Sequence, residues 1–185
     1  MTSYKVMNLF ADQLRRNVAD GEKYKTKVVV TPSSVNEAGV VIKLSLLKTT
    51  SNGKSIAGLP LAHQAFPMRA ALGTRTLRLR VSVCGRAESM TGLEQALEAI
   101  ERLDAYLSSE GLRLEETVES DNGMTSVRKM PDTRIMQTVS EEDSFIDSPD
   151  STAVQDVQDD RIVTITVPSG AAEKKEEEYN ARDKL

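Results

Sequence analysis

Three groups of residues in this 185-residue chain have types and spacings that could do chemistry. The first is KTTSNGKS, Lys48 to Ser55, where Gly53, Lys54 and Ser55 follow a strand-like run and supply the end of a phosphate-binding loop. Such a loop reads G-x-x-x-x-G-K-[ST] and must open a helix, so that its amides cradle phosphate. Here Lys48 stands at the first glycine position, and Gly58 and Pro60 would break a helix beyond it. A surface turn is the better reading. The second group is the single histidine, His63, and the single cysteine, Cys84. A histidine base needs an orienting partner, and no sequence neighbour of His63 nominates one. Cys84 closes an apolar strand pattern, which predicts an inert core thiol rather than a nucleophile. The third group is Glu141, Glu142, Asp143, Asp147 and Asp150. Their spacing is not that of a calcium loop and no His or Cys joins them, so they read as a solvated acidic loop. No catalytic set, cofactor or metal is expected, and the chain does not read as an enzyme.

The elements that would position side chains are clearer. SYKVMNLFADQLRRNVA, Ser3 to Ala19, puts Val6, Met7, Phe10, Leu14 and Val18 at helical spacing, with Ser3 as N-cap and Asp20-Gly21 as the stop. KVVVT (Lys27 to Thr31) and VVIKLSLL (Val40 to Leu47) read as strands, the second with Val40, Ile42, Leu44 and Leu46 on one face. A connection from Lys48 to Thr74 follows, too long for an ordinary loop. TLRLRVSV, Thr76 to Val83, alternates strictly: Leu77, Leu79, Val81 and Val83 on one face, Arg78 and Arg80 on the other. TGLEQALEAIERLDAYLSSEG is the clearest helix. Thr91 and Glu94 stand in capping-box register, Leu93, Ala96, Leu97, Ile100, Leu103 and Leu107 form its stripe, and Gly111 closes it. LRLEETVE and TSVRKM flank Asn122-Gly123 as a hairpin, RIMQTV is a short strand, and RIVTITV (Arg161 to Val167) is the last strand. Residues 140–160 between these two read as an acidic loop.

These elements predict an α+β chain: one domain over residues 1–168 with a mixed or antiparallel sheet packed by two main helices, long loops, and a polar tail over residues 169–185. With 4% aromatics and no Trp, the core must rest on Leu, Ile, Val and Ala. No stretch approaches the roughly 18 apolar residues of a membrane span, so no membrane partner is expected. One cysteine excludes an internal disulfide framework and suits a reducing cytoplasm.

Charge is unevenly distributed. Residues 1–86 hold 14 Lys and Arg against 4 Asp and Glu, while residues 87–185 hold 10 against 24. Such polarity points to an interaction surface. Arg75, Arg78, Arg80 and Arg86 concentrate basic charge in one region, yet the strand lacks interleaved aromatics and the chain carries a net charge of −4. That balance argues against a dedicated nucleic-acid binder.

The order of elements resembles the tail-terminator proteins of tailed phages and contractile injection systems. The resemblance is carried by VVIKLSLL, by TLRLRVSVCGRAESMTGLEQALEAIERLDAYLSSEG and by the closing RIVTITV, and spans about Ser3 to Val167. The long Lys48 to Thr74 connection and the acidic stretch from Ser140 to Asp160 depart from the pattern. The resemblance implies a structural assembly protein of a virion tail or phage-like particle, assembled in the bacterial cytoplasm. It implies a homo-oligomer, a hexameric ring, that caps and ends the tail tube and sheath and offers a docking surface to the head–tail connector or neck. Nucleic acid would then only pass through the ring lumen. Arg75, Arg78, Arg80 and Arg86 are the residues expected to face a neighbouring subunit or that lumen, since ring subunits meet head to tail. The alternative is another neck, tail-completion or baseplate adaptor protein.

Overall fold

The computed structural model describes residues 1–31, 39–52, 73–87, 90–138, 145–146 and 155–168. The Gly53-Lys54-Ser55 turn, His63, the five carboxylates from Glu141 to Asp150 and the tail over 169–185 lie outside the described residues. Two helices, α1 (Ser3–Asn17) and α2 (Met90–Leu107), accompany eight strands: β1 (Lys27–Val30), β2 (Val40–Asn52), β3 (Thr74–Ala87), β4 (Glu115–Glu119), β5 (Thr125–Lys129), β6 (Arg134–Thr138), β7 (Phe145–Ile146) and β8 (Gln155–Pro168). The main sheet runs β1-β2-β3-β8-β6, with β7 also on β8, and β4-β5 form a separate hairpin. β1 is parallel to β2 and every other pair is antiparallel. The chain is thus a single α+β domain with a mixed sheet.

One face of the sheet carries the core. Ile42 and Leu44 of β2, Leu77, Leu79, Val81 and Val83 of β3, and Val163, Ile165 and Val167 of β8 are buried there. They share one apolar cluster with Val6, Met7, Phe10 and Leu14 of α1 and Ala96, Ala99, Leu103 and Leu107 of α2, so both helices cover the same face. Each large side chain so buried contributes roughly 1.5–3 kcal/mol.

The helices form as their periodicity predicts, with corrected ends. Thr2, not Ser3, caps α1: its hydroxyl accepts from the Lys5 amide at 3.2 Å. The capping box at Thr91 does not form at the start of α2, because the helix already begins at Met90 and the Glu94 carboxylate is used elsewhere. It accepts from Lys23 Nζ and Tyr24 Oη, each at 3.1 Å. Leu97 is not in the core either; it is 41% exposed, and Ala99 takes a place in the buried stripe. The two alanines turn the helix so that its narrow side rests on the sheet and Leu97 falls on the flank.

Two loop expectations are overturned by strand pairing. Residues 48–52 and 74–75, read as part of a connection, continue β2 and β3, where Thr49 to Asn52 pair with Thr74 to Leu77 and the β-branched Thr49, Thr50 and Thr76 suit a strand. Residues 155–160, read as acidic loop, are the first half of β8, and Phe145–Ile146 pairs with it. Strand character there is hidden by Asp159, which points toward the core and is 9% exposed. Its charge is met by Arg161, whose guanidinium donates to Asp159 Oδ2 at 3.0 Å and to Asp104 Oδ1 and Oδ2 on α2 at 2.6 and 2.9 Å. The hairpin is present where predicted, but its loop is a turn with Gly123 at φ +74° rather than a two-residue Asn-Gly turn; the Gly123 amide donates to the Ser120 carbonyl at 2.8 Å.

Candidate assembly interface

The second face of the sheet is built by a β-bulge. Up to Leu46, even-numbered residues of β2 face the core; Leu46 pairs with Leu79, and then Lys48, not Leu47, pairs with Arg78. Leu47 is the extra residue, and it reverses the alternation. Lys48 and Thr50 would otherwise point at the helices; they point away from them instead.

Cross-strand register then lays out three rows on that face. Thr50, Thr76, Thr166 and Arg134 form the first, from β2 across β3 and β8 to β6. Lys48, Arg78, Thr164 and Met136 form the second, and Ser45, Arg80, Ile162 and Thr138 the third. Four cations and no carboxylate stand in these rows. Lys48, Arg78, Arg134 and Met136 are exposed. In the row beyond, Asp160 partners Arg80 at 3.4 Å, without hydrogen-bond alignment at Nε. That end of the face is closed: Val41, Ser82 and Ile162 are buried, while lying outside the helix-side core. The open part is the end around Arg78.

Lys48 and Arg78 face each other directly, and neither has an ion-pair partner among the described residues. Like charges directly opposite on a strand pair are destabilising. Water and dissolved anions can offset this at a wet surface, and a bound acidic group would offset it more fully.

The four arginines singled out by sequence separate. Arg78 and Arg80 share the open face. Arg75 has the opposite parity; it lies at the core-side end of β3, and its Nη2 donates to the Met1 carbonyl. Arg86 pairs with Asp156 at the far end of β3, about 26 Å along the strand from Arg78 at the usual rise. Sequence reasoning did not bring in Lys48, Arg134 or Met136. The doubled Leu46-Leu47, which interrupts an otherwise regular alternation, is the signal that could have placed Lys48. Cys84 is corrected as well: it lies on this second face, half-buried, where desolvation pushes its thiol up against the lowering pull of Lys43.

The two charge halves of the sequence lie side by side in the sheet, β1, β2 and β3 from the first half and β8, β6 and β7 from the second, and they meet along the β3–β8 pairing. Ion pairs join them at Arg16–Glu115 (3.2 Å), Lys23–Glu94 (3.1 Å) and Arg80–Asp160. Among the described residues no helix is long and apolar enough to cross a membrane, and no His, Cys, Asp and Glu cluster could hold a metal ion. Compared with known protein families and with curated proteins, the chain matches none of them.

Proposed function

We propose that this chain is a structural assembly subunit whose copies join head to tail into a ring, and that the ring caps and terminates the tail tube of a phage or contractile injection machine. The observation that carries the self-assembly part is the Lys48–Arg78 pair at the open end of the sheet face, in rows that hold no carboxylate among the described residues. A chain with net charge −4 keeps four cations in three adjacent rows. Such a surface steers an acidic partner and fixes its register. The tube-capping part rests on the resemblance of the β2, β3-α2 and β8 segments to tail terminators, which gives the ring its size and place.

Size-exclusion chromatography with light scattering, followed by negative-stain imaging, tests the reading. A closed ring of about six copies supports it, since head-to-tail contacts close into rings when the rotation permits. Added tail-tube protein should then stop elongating when the ring binds. A chain that stays monomeric at high concentration overturns the proposal. A ring that leaves tube growth untouched favours another neck or baseplate adaptor instead.

A further inference from the structure

Resting on the self-assembly reading, we infer that the occupant of the open sheet face is the β4–β5 hairpin of a second copy of this chain. The hairpin is fixed to the rest of the chain only along the first half of β4. Arg16 of α1 meets Glu115 at 3.2 Å, Gln13 Oε1 accepts from the Glu115 amide at 3.2 Å, and the Met130 amide donates to the Leu114 carbonyl at 2.8 Å. Arg16 Nη1 also donates to Thr117 Oγ1 at 3.5 Å and Val118 is half-buried, but the second strand and the tip stand in solvent: every residue of β5 is exposed, Met124 is 70% and Val127 52% exposed. A two-stranded ribbon with one strand wholly exposed is marginal on its own and gains from a surface to lie on.

The two surfaces are complementary in charge and in apolar content. Glu119 and Asp121 near the hairpin tip have no ion-pair partner among the described residues, and neither do Lys48 and Arg78 on the sheet face. Met136, 48% exposed in the same row as Arg78, offers an apolar contact for Met124 and Val127. Nucleic acid would satisfy the cations but would leave the acidic hairpin and its methionine without a role. In this chain the hairpin is bonded to Gln13 and Arg16 of α1. That helix packs on the opposite side of the sheet, so the contact joins two molecules. Because hairpin and face are different surfaces, the contact propagates head to tail.

A charge-swap complementation on the full chain tests this. The face variant is Lys48→Glu with Arg78→Glu, and the hairpin variant is Glu119→Lys with Asp121→Lys. All four residues are exposed, and circular dichroism melts should match those of the parent. Each variant alone should lose assembly by about tenfold or more, as expected where like charges are juxtaposed. A 1:1 mixture should recover it, because each variant's hairpin then meets the other's face. If the parent assembles and the face variant assembles equally well, the inference fails while self-assembly stands. Loss in both variants without recovery in the mixture also overturns it. So does unchanged assembly combined with face-dependent binding of a short DNA duplex, which would make the face a nucleic-acid surface. A parent chain that never assembles removes both proposals together.

Discussion

Arg161 on β8 and Asp104 on α2 are joined by two parallel hydrogen bonds, Nε to Oδ1 at 2.6 Å and Nη2 to Oδ2 at 2.9 Å. The same guanidinium holds Asp159, so one side chain neutralises a nearly buried carboxylate and pins the helix to the middle of the sheet. Both carboxylates bind its proton more tightly than water would. Arg161→Leu strands Asp159 without a partner. Chemical denaturation should show a loss of about 2–4 kcal/mol, below the largest buried-pair values because Asp104 is partly hydrated. Asp104→Asn keeps part of the hydrogen bonding and leaves Asp159 paired, so it should cost clearly less. Equal losses would mean that Asp159 contributes nothing.

Gly85 of β3 sits against the start of β2. A methyl group there would lie 2.6 Å from the Gly39 carbonyl oxygen and 2.9 Å from Val40 Cα. Both contacts are backbone, which cannot swing aside as a side-chain end can. Gly85→Ala should lower stability by about 1–3 kcal/mol, the usual cost of overpacking. Gly111→Ala offers a contrast: there the space is open and the strain comes only from φ +67°. A Gly85→Ala variant as stable as the parent would show that β2 can pull away from β3 at this end.

Gln13 of α1 is completely buried, and its amide donates to Tyr106 Oη at 2.6 Å and to the Arg113 carbonyl at 2.9 Å. Gln13→Leu therefore leaves the Arg113 carbonyl and the Glu115 amide without these partners and should cost about 2–4 kcal/mol. Desolvation raises Tyr106 to about 12, outweighing the lowering pull of the Gln13 bond. The folded chain thus favours the neutral phenol. Its contribution to stability is fully present below about pH 10, the free phenol value, and is lost as pH climbs toward 12. Tyrosinate absorbance should show one late step in the folded chain that moves down on unfolding in urea. A single step at the free value in both states would contradict the burial of Tyr106.

Cys84 should be a slow nucleophile. Burial favours the thiol over the thiolate, so at pH 8 its alkylation should run about tenfold slower in the folded chain than in urea. The pH profile should also lie above that of the unfolded chain. With one cysteine in the sequence, the rate reports this site alone. Equal rates would place the sulfur in open solvent.

Where local periodicity decided the outcome, sequence reading was sufficient. α1, the alternating β3 strand leading into α2, and the β4–β5 hairpin each follow from residues that are close neighbours in the chain. Arg78 and Arg80 were legible as one face for the same reason. What escaped depends on distant partners. Asp159 reads as a loop residue until Arg161 and Asp104 supply its counter-charges, and Leu97 reads as core until Ala96 and Ala99 set the helix rotation. Lys48 lies on β2 while Arg134 and Met136 lie on β6, and only sheet register, together with one extra residue at Leu47, brings Lys48 and Met136 into the row of Arg78 and Arg134 into the adjoining row.

The position of β8 has a consequence for biosynthesis. The last described strand is also an interior one: β3 lies along one edge of it and β6 and β7 along the other. While the ribosome is still translating, Leu77 and Leu79 therefore lack the neighbour that completes their shelter, however early α1 and α2 have coiled. Closure of the sheet waits until Pro168 has left the exit tunnel, which gives molecular chaperones a window on every nascent copy.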